Sequence, residues 1–236
     1  MKNDIMPFRF FLQTVFILAL SSFAFTACSQ TKNSSNSEQS NDIHAIGDYI
    51  EGKGYDKYEV ATFAGGCFWC TEAAFERIQG VVDVISGYSG GEKAYPTYYE
   101  VGRGATNHAE SIQIYYDPDV ITFEKLLEVF FVAHDPTQLN RQGPDVGKEY
   151  RSAIFYHNEE QKEKVAEFIK AQTANFADQI VTEVSPYKEF WVAEAYHQDY
   201  YEHHPNEPYV RNVSRPKVEK VKKKFADILK PKYAKK

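Results

Sequence analysis

The 236-residue chain is 43% hydrophobic, 15% aromatic and 25% charged, the composition of a globular protein rather than of a disordered or multispan membrane chain. Its net charge of -6 gives no basic field for gathering nucleic acid. Three cysteines, Cys28, Cys67 and Cys70, are too few for a disulfide scaffold or for a zinc site made of cysteine alone.

Lys2 and Arg9 precede an apolar run from Phe10 to Phe25, the pattern of an export signal. A single transmembrane helix or a plain secretory signal is the alternative. The run ends in Phe25-Thr26-Ala27-Cys28, which resembles the lipobox of bacterial lipoproteins, with Phe25 where that pattern usually has Leu. The resemblance implies a lipidated Cys28 and an exported, membrane-anchored protein facing the periplasm or the extracellular side. Ser29 to Asn41 is almost all Ser, Asn, Gln, Thr and Lys, cannot form a core, and reads as a flexible tether. The expected organisation is a signal over 1–27, tether and extension over 28–57, a folded domain over 58–212 and a basic tail over 213–236. That tail carries ten Lys or Arg against Glu219 and Asp227, either a solvated helix face or a contact with anionic lipid.

Along the folded domain, Tyr58 to Ala64 is rich in β-formers and stops at Gly65-Gly66, so it reads as a strand. Cys67 to Gln79 places Phe68, Ala74, Phe75 and Ile78 at helical spacing, closed by Gly80. Val81 to Ile85 is a second strand, and Ser86 to Asn107 has turn chemistry without a sustained period. His108 to Tyr116 is a third strand. A helix from Thr122 to His134 aligns Phe123, Leu126, Leu127, Phe130 and Phe131 on one stripe. A long loop over Asp135 to Tyr150 leads to a strand at Ser152 to Tyr156. Asn158 then caps a helix to Gln172, with Gln161 placed as in a capping box. The expected fold class is α+β: a two-layer, ferredoxin-like β-α-β-β-α-β core with long loops and a C-terminal coil or helix extension.

The chemistry concentrates in Gly65-Gly66-Cys67-Phe68-Trp69-Cys70. A glycine pair after a strand turns the backbone sharply into a helix and sets Cys67 at its first turn, where free N–H groups and the helix dipole favour a thiolate. Cys70 follows at i+3, one turn along the same face, within reach of the first sulfur. Alternatives are two small buried hydrophobes, half of a zinc site completed by His197, His203 or His204, or a thioredoxin-type redox pair. A thioredoxin-type pair needs Trp before the first cysteine and usually Gly-Pro between the two, whereas Phe68 and Trp69 stand between them here. Two bulky aromatics beside a reactive sulfur suggest a cage for a small apolar group. In the third strand, alternation puts Glu110 on the apolar face with Ile112, Ile114 and Tyr116. Desolvation there raises a carboxyl's pKa and makes it a proton donor near neutral pH; a structural ion pair with Arg103, Arg141 or Arg151 is the alternative.

Gly65-Gly66-Cys67-Phe68-Trp69 resembles the active-site signature of the A-type peptide methionine sulfoxide reductases. The likeness continues through Gly87-Tyr88-Ser89-Gly90-Gly91, Pro96-Thr97-Tyr98, His108-Ala109-Glu110 and His134-Asp135-Pro136-Thr137-Gln138. It extends further through Arg141 to Gly147, Tyr150-Arg151-Ser152 and Ala193 to Gln198, covering about residues 58 to 225. The resemblance implies that Cys67 attacks the sulfur of methionine sulfoxide, free or in oxidised proteins and peptides, with Glu110 as acid and Tyr98 and Tyr150 binding the oxygen. Phe68 and Trp69 would receive the S-methyl group, and Asp145 would hold the substrate backbone. Attack leaves a sulfenic acid, which a second thiol condenses to a disulfide for reduction by a thioredoxin-like dithiol. The family further implies the S epimer. No metal or bound cofactor is expected, and a monomer is.

The chain departs from the family at several points. Many members have Gly at the position of Cys70 and carry resolving cysteines near the C-terminus in a Pro-Tyr-Cys context, which reads Pro208-Tyr209-Val210 here. The resolving role falls to Cys70, Cys28 being the remaining cysteine. The family's Thr-Gly-His reads Thr106-Asn107-His108, which bears on the turn before Glu110. A repair enzyme and a thiol–disulfide exchange or redox-sensing module both fit these residues, and turnover of a methyl sulfoxide separates them.

Overall fold

The computed structural model describes residues 43–234. The signal over 1–27, Cys28 and the tether to Asn41 lie outside the described residues. In chain order the strands are β1 (His44–Ala45), β2 (Glu59–Gly65), β3 (Val81–Ser89), β4 (Ala109–Tyr116), β5 (Arg141–Gln142), β6 (Asp145–Val146), β7 (Ser152–Tyr156), β8 (Glu183–Pro186) and β9 (Phe190–Val192). The helices are α1 (Ile46–Ile50), α2 (Phe68–Glu76), α3 (Tyr98–Gly102), α4 (Phe123–Ala133), α5 (Glu159–Gln172), α6 (Tyr200–His203), α7 (Arg215–Lys224) and α8 (Pro231–Ala234).

The main sheet runs β1-β9-β3-β4-β2-β7-β8. Its centre, β3-β4-β2-β7, is antiparallel throughout and is made of the four strands legible in the sequence. With α2 after β2 and α4 after β4, the four central strands and these two helices follow as β-α-β-β-α-β, with α3 inserted between β3 and β4 and the β5–β6 hairpin between α4 and β7. Both helices bury their apolar stripes on the face that carries Phe63, Ile112, Ile114 and Tyr116. Phe63 stacks on Phe130 of α4 with ring centroids 4.8 Å apart and tilts against Phe75 of α2 at 5.9 Å, geometries that aromatic quadrupoles favour.

The folded unit extends past both boundaries drawn from composition. On the other face of the sheet, Ile46 packs with Ile85, Tyr115, Phe190 and Val192 while Tyr49, Tyr55 and Tyr58 close over them, so residues before 58 belong to the fold. The basic tail is no appendage either. Val218, Val221, Phe225 and Leu229 are buried in the main core, and α7 packs against both α2 and α4. Lys220, Lys223 and Lys224 occupy its outer face, and backbone hydrogen bonds from Gln79 to Ile228 (2.8 Å) and from Lys230 to Arg77 (2.8 Å) tie the chain end to the end of α2.

β3 continues to Ser89, past the expected end at Ile85, because its outer edge pairs with β9, about a hundred residues later in the chain. Gly87 permits that approach, since a Cβ there would lie 2.3 Å from the carbonyl oxygen of Trp191. The loop from Asp135 to Tyr150 holds the β5–β6 hairpin. Asn158 caps α5 by accepting the Gln161 N–H at 2.8 Å, but the Gln161 side chain accepts from His157 instead of returning to Asn158. The reciprocal capping box sits at α3, between Thr97 and Glu100.

Candidate active site

β2 passes into α2 through Gly65, Gly66 and Cys67. Gly66 has φ +87°, and a Cβ on it would overlap the Cβ of Gln142 at 2.5 Å; one on Gly65 would press Phe130 at 2.9 Å. The glycine pair thus lets the strand end lie against α4 and against the hairpin loop. Gln142 holds that loop in place, accepting from the Asp135 N–H (3.1 Å) and donating to its carbonyl (3.0 Å). Cys67 becomes the residue just before α2, and Cys70 lies within its first turn. Both cysteines are buried and unbridged.

Cys67 is not the thiolate that its place in sequence suggests. Burial pushes its thiol well up, and its hydrogen bond to Cys70 and the neighbouring Glu110 push the same way. The Phe68 N–H, at the start of α2, gives its hydrogen bond to Glu110 Oε2 at 3.0 Å. Cys70 goes the other way, drawn down to about 7 by the hydrogen bond from Cys67, then by Lys217 and Ser214.

Glu110 is 2% exposed on the inner face of β4. Burial raises its pKa to about 8, outweighing the opposing pull of the Phe68 N–H. The three arginines considered as its partners are engaged elsewhere: Arg151 with Glu183, Arg141 with the Gly143 carbonyl and Arg103 with Tyr99. Glu110 is therefore a neutral, hydrogen-bonding acid at pH 7. Asn107, before this strand, has φ +57°. Asn tolerates the left-handed region best after Gly, so the turn leading to Glu110 is preserved without the family's glycine.

Tyr98 opens α3 and Tyr150 closes the 3₁₀ turn Lys148–Tyr150. Burial raises both phenols, and Glu110 and Cys67 act on each of them, which places the two hydroxyls around the same carboxyl and sulfur. Glu194 positions Tyr98 by accepting its N–H at 2.9 Å and the Tyr88 hydroxyl at 2.8 Å. Phe68 is fully buried against Tyr88 and Tyr98, with ring centroids 5.9 and 6.5 Å away. Trp69 stacks flat on Tyr200 at 3.7 Å and meets Tyr209 edge-on at 5.8 Å. Its indole N–H donates to His197 Nδ1 at 3.1 Å. His197, a candidate zinc ligand in the sequence, is instead part of this aromatic wall, held neutral at about 4 by burial, while His203 and His204 are exposed.

The structure thus gathers Cys67, Phe68, Trp69, Cys70, Tyr98, Glu110, Asp145 and Tyr150 around the two cysteine sulfurs; Cys28 lies outside the described residues. Three members of the site escaped the sequence reading: Tyr209, Glu194 and His197 in its aromatic role. Tyr209 bonds Asp145 at 2.6 Å and reaches the Cys67 sulfur. Its segment, Pro208-Tyr209-Val210, drew notice for the cysteine it lacks, not for the phenol it keeps.

A sulfur facing a neutral carboxylic acid and two phenols inside an aromatic wall defines a cysteine-dependent site built to act on a small group with a polarised oxygen. A family profile described as peptide methionine sulfoxide reductase matches residues 59–229. The chain is 53% identical over 171 residues to the peptide methionine sulfoxide reductase MsrA of Haloquadratum walsbyi, covering 72% of this chain and 98% of that one. It is 51% identical over 174 residues to that of Thermus thermophilus, covering 73% and 98%. Among solved structures, methionine sulfoxide reductase A of Corynebacterium diphtheriae superposes with a TM-score of 0.60 at 35% identity, covering 66% of this chain and 79% of the other. Reduced Mxr1 from Saccharomyces cerevisiae gives 0.60 at 37%, covering 64% and 88%. The chain belongs to the peptide methionine sulfoxide reductase family.

Proposed function

We propose that the protein reduces the S epimer of methionine sulfoxide, free or in oxidised proteins and peptides, with Cys67 as nucleophile and Cys70 as resolving thiol. The observation that carries this reading is the pairing of Cys67 with a carboxyl, Glu110, that burial keeps protonated at pH 7. A sulfoxide sulfur becomes electrophilic when its oxygen receives hydrogen bonds or a proton, and Glu110, Tyr98 and Tyr150 are the donors. Phe68 and Trp69 take the S-methyl group, and Asp145 with Tyr209 holds the substrate backbone. Cys67 attacks sulfur, methionine leaves, and the oxygen remains on Cys67 as sulfenic acid. The Cys67 thiol proton restores the acid, so the site ends the step with the proton count it began with. Cys70 closes the disulfide, and a thioredoxin-like dithiol reopens it.

The test is release of methionine from a methionine sulfoxide peptide with dithiothreitol as reductant. The wild-type protein turns over repeatedly, and Cys67→Ser releases none. A protein that exchanges disulfides yet leaves the sulfoxide intact is instead a thiol-exchange or sensing module.

We further propose, from Phe10 to Phe25 and the Phe25-Thr26-Ala27-Cys28 boundary, that Cys28 is the lipidated first residue of an exported form, anchored outside the cytoplasm. Intact mass of the membrane-extracted protein tests this: a start at Cys28 carrying acyl chains is the expected result, and an unmodified chain refutes it.

A further inference from the structure

One buried cluster beside the pocket has no role in the chemistry above. Cys70 Sγ lies 3.2 Å from Ser214 Oγ, with Cys70 1% and Ser214 0% exposed. Ser214 ends the π-helical turn Val210–Ser214 that runs directly into α7. Lys217 stands three residues further on, on the same face of the helix. Its ammonium is buried and makes no hydrogen bond among the described residues. Burying a cation is costly unless an anion faces it. Lys217 acts on Cys70 and on His134, which sets its charge between α2 and α4. His134 is held neutral at about 4 chiefly by burial, so Cys70 is the group there that can carry the balancing charge.

We propose that Ser214 and Lys217 form an anion site that holds Cys70 as a thiolate and thereby sets the speed at which it closes the disulfide on oxidised Cys67. The inference rests on Cys70 being the resolving thiol. The other groups facing Cys70 are Cys67 just before α2, Glu110 on β4, Asp145 on β6 and Tyr209 before α7. Asp145 opposes the anion, while Cys67, as a thiol, donates to it. In the resolving step the Cys70 electron pair becomes the S–S bond. The Cys67 S–O bond breaks, and the departing hydroxide takes a proton to become water. Cys70 sulfur is oxidised and the sulfenic sulfur of Cys67 is reduced, so no further redox partner is required. Ser214 and Lys217 touch neither substrate nor the oxidised sulfur and are positioning residues.

The experiment uses full-length Lys217→Met, Lys217→Arg and Ser214→Ala, each given excess N-acetyl-methionine sulfoxide without reductant. Methionine release and loss of the Cys67 sulfenic acid, trapped with dimedone at timed intervals, are read separately. Alkylation of Cys70 against pH is followed at the peptide level by mass spectrometry, so that Cys28 does not interfere. In Lys217→Met the Cys70 midpoint is expected to rise by about one pH unit from about 7, and disulfide closure at pH 7 to slow by about five-fold as the thiolate fraction falls, while about one methionine per enzyme is still released. Raising the pH recovers the rate, and Lys217→Arg restores it at pH 7. An unchanged midpoint and closure rate in Lys217→Met overturns the proposal, as does Lys217→Arg behaving like the methionine variant. Should Lys217→Met not fold, Ser214→Ala is read by the same two measures, and no shift in either overturns it. Full multiple turnover by Cys70→Ser would remove the resolving role itself, an outcome distinct from an unshifted Cys70 titration.

Discussion

The Tyr209 hydroxyl sits 2.6 Å from Asp145 Oδ2 and also within hydrogen-bond reach of the Cys67 sulfur. One phenol therefore links the β5–β6 hairpin to the residue that opens α2. It can donate to Asp145 while Cys67 is a thiol and turn toward the sulfur as that sulfur gains charge.

Tyr209→Phe removes this link and leaves the edge-on contact with Trp69 intact. Losing one hydrogen bond to a charged group costs about 1.5–3 kcal/mol, so kcat/KM for a methionine sulfoxide peptide is expected to fall roughly ten- to a hundred-fold. Near-ultraviolet circular dichroism checks that the aromatic wall survives. An unaltered kcat/KM would mean that the phenol only packs.

Glu110 is predicted to impose an alkaline limb on the chemical step. Burial places its pKa at about 8, so the acid form is present below that value and is lost as pH rises through it. Single-turnover methionine release is expected to drop about ten-fold per pH unit above pH 8. Glu110→Gln keeps a hydrogen-bond donor but not a proton, so it is expected to slow release by roughly 100-fold or more and to abolish that limb. A variant that keeps the limb would assign it to another group, with Cys67 next in line.

The central strands, α2 and α4 were legible because their signals are local: β-branched and aromatic runs, an apolar stripe and the Gly65-Gly66 break. The same is true of Cys67 and Glu110, one placed by a helix start and the other by strand alternation. β9 was not legible, since Phe190 to Val192 is a three-residue segment whose strand character comes from pairing with Gly87, Tyr88 and Ser89. α7 read as a solvated tail because its lysines dominate the composition, while just Val218 and Val221 carry its buried stripe. The protonation of Cys67 was misjudged for a similar reason. A helix start favours a thiolate in general, but here burial outweighs it, and the first N–H of α2 bonds Glu110, from a strand 42 residues away.

Gly66→Ala tests the turn that carries the nucleophile. A non-glycine residue at φ +87° is strained by roughly 1–3 kcal/mol, and the new Cβ meets the root of the Gln142 side chain, which cannot swing clear. Thermal unfolding is expected at least about 4 °C lower, with a larger proportional loss of activity because Cys67 follows directly. A variant as stable and active as the parent would show that the loop at Gln142 yields freely.

Stability should fall on the alkaline side well before lysine or tyrosine titrates. Burial lifts Glu110 and Glu76 to about 8 and Glu72 well above the carboxylate range, and Asp199 adds to the effect at Glu76. Unfolded, these groups titrate near 4.5. From about pH 6.5 to 8 the folded state therefore holds protons that the unfolded chain lacks, and stability declines as pH rises. Cys70, drawn down to about 7, pulls the opposite way, but three carboxyls outweigh one thiol. Between about 4.5 and 6.5 the buried, neutral His108, His134, His157 and His197, each at about 4, offset the carboxyls, because they gain protons on unfolding. Below that range Glu100, held at about 2 by Lys93 and Thr97, joins the histidines with Glu124 and Asp135, whose carboxyls are also held down, and acid destabilises the fold. The melting temperature is thus expected to peak at about pH 5 to 6.5. Glu76→Gln should shallow the alkaline decline by about half or more, since Cys70 and the histidines already oppose the three carboxyls there. A melting temperature that climbs from pH 6.5 to 8 would mean that these carboxyls are ionised in the folded protein, Glu110 among them, and the acid assigned to the reaction would have to be sought elsewhere.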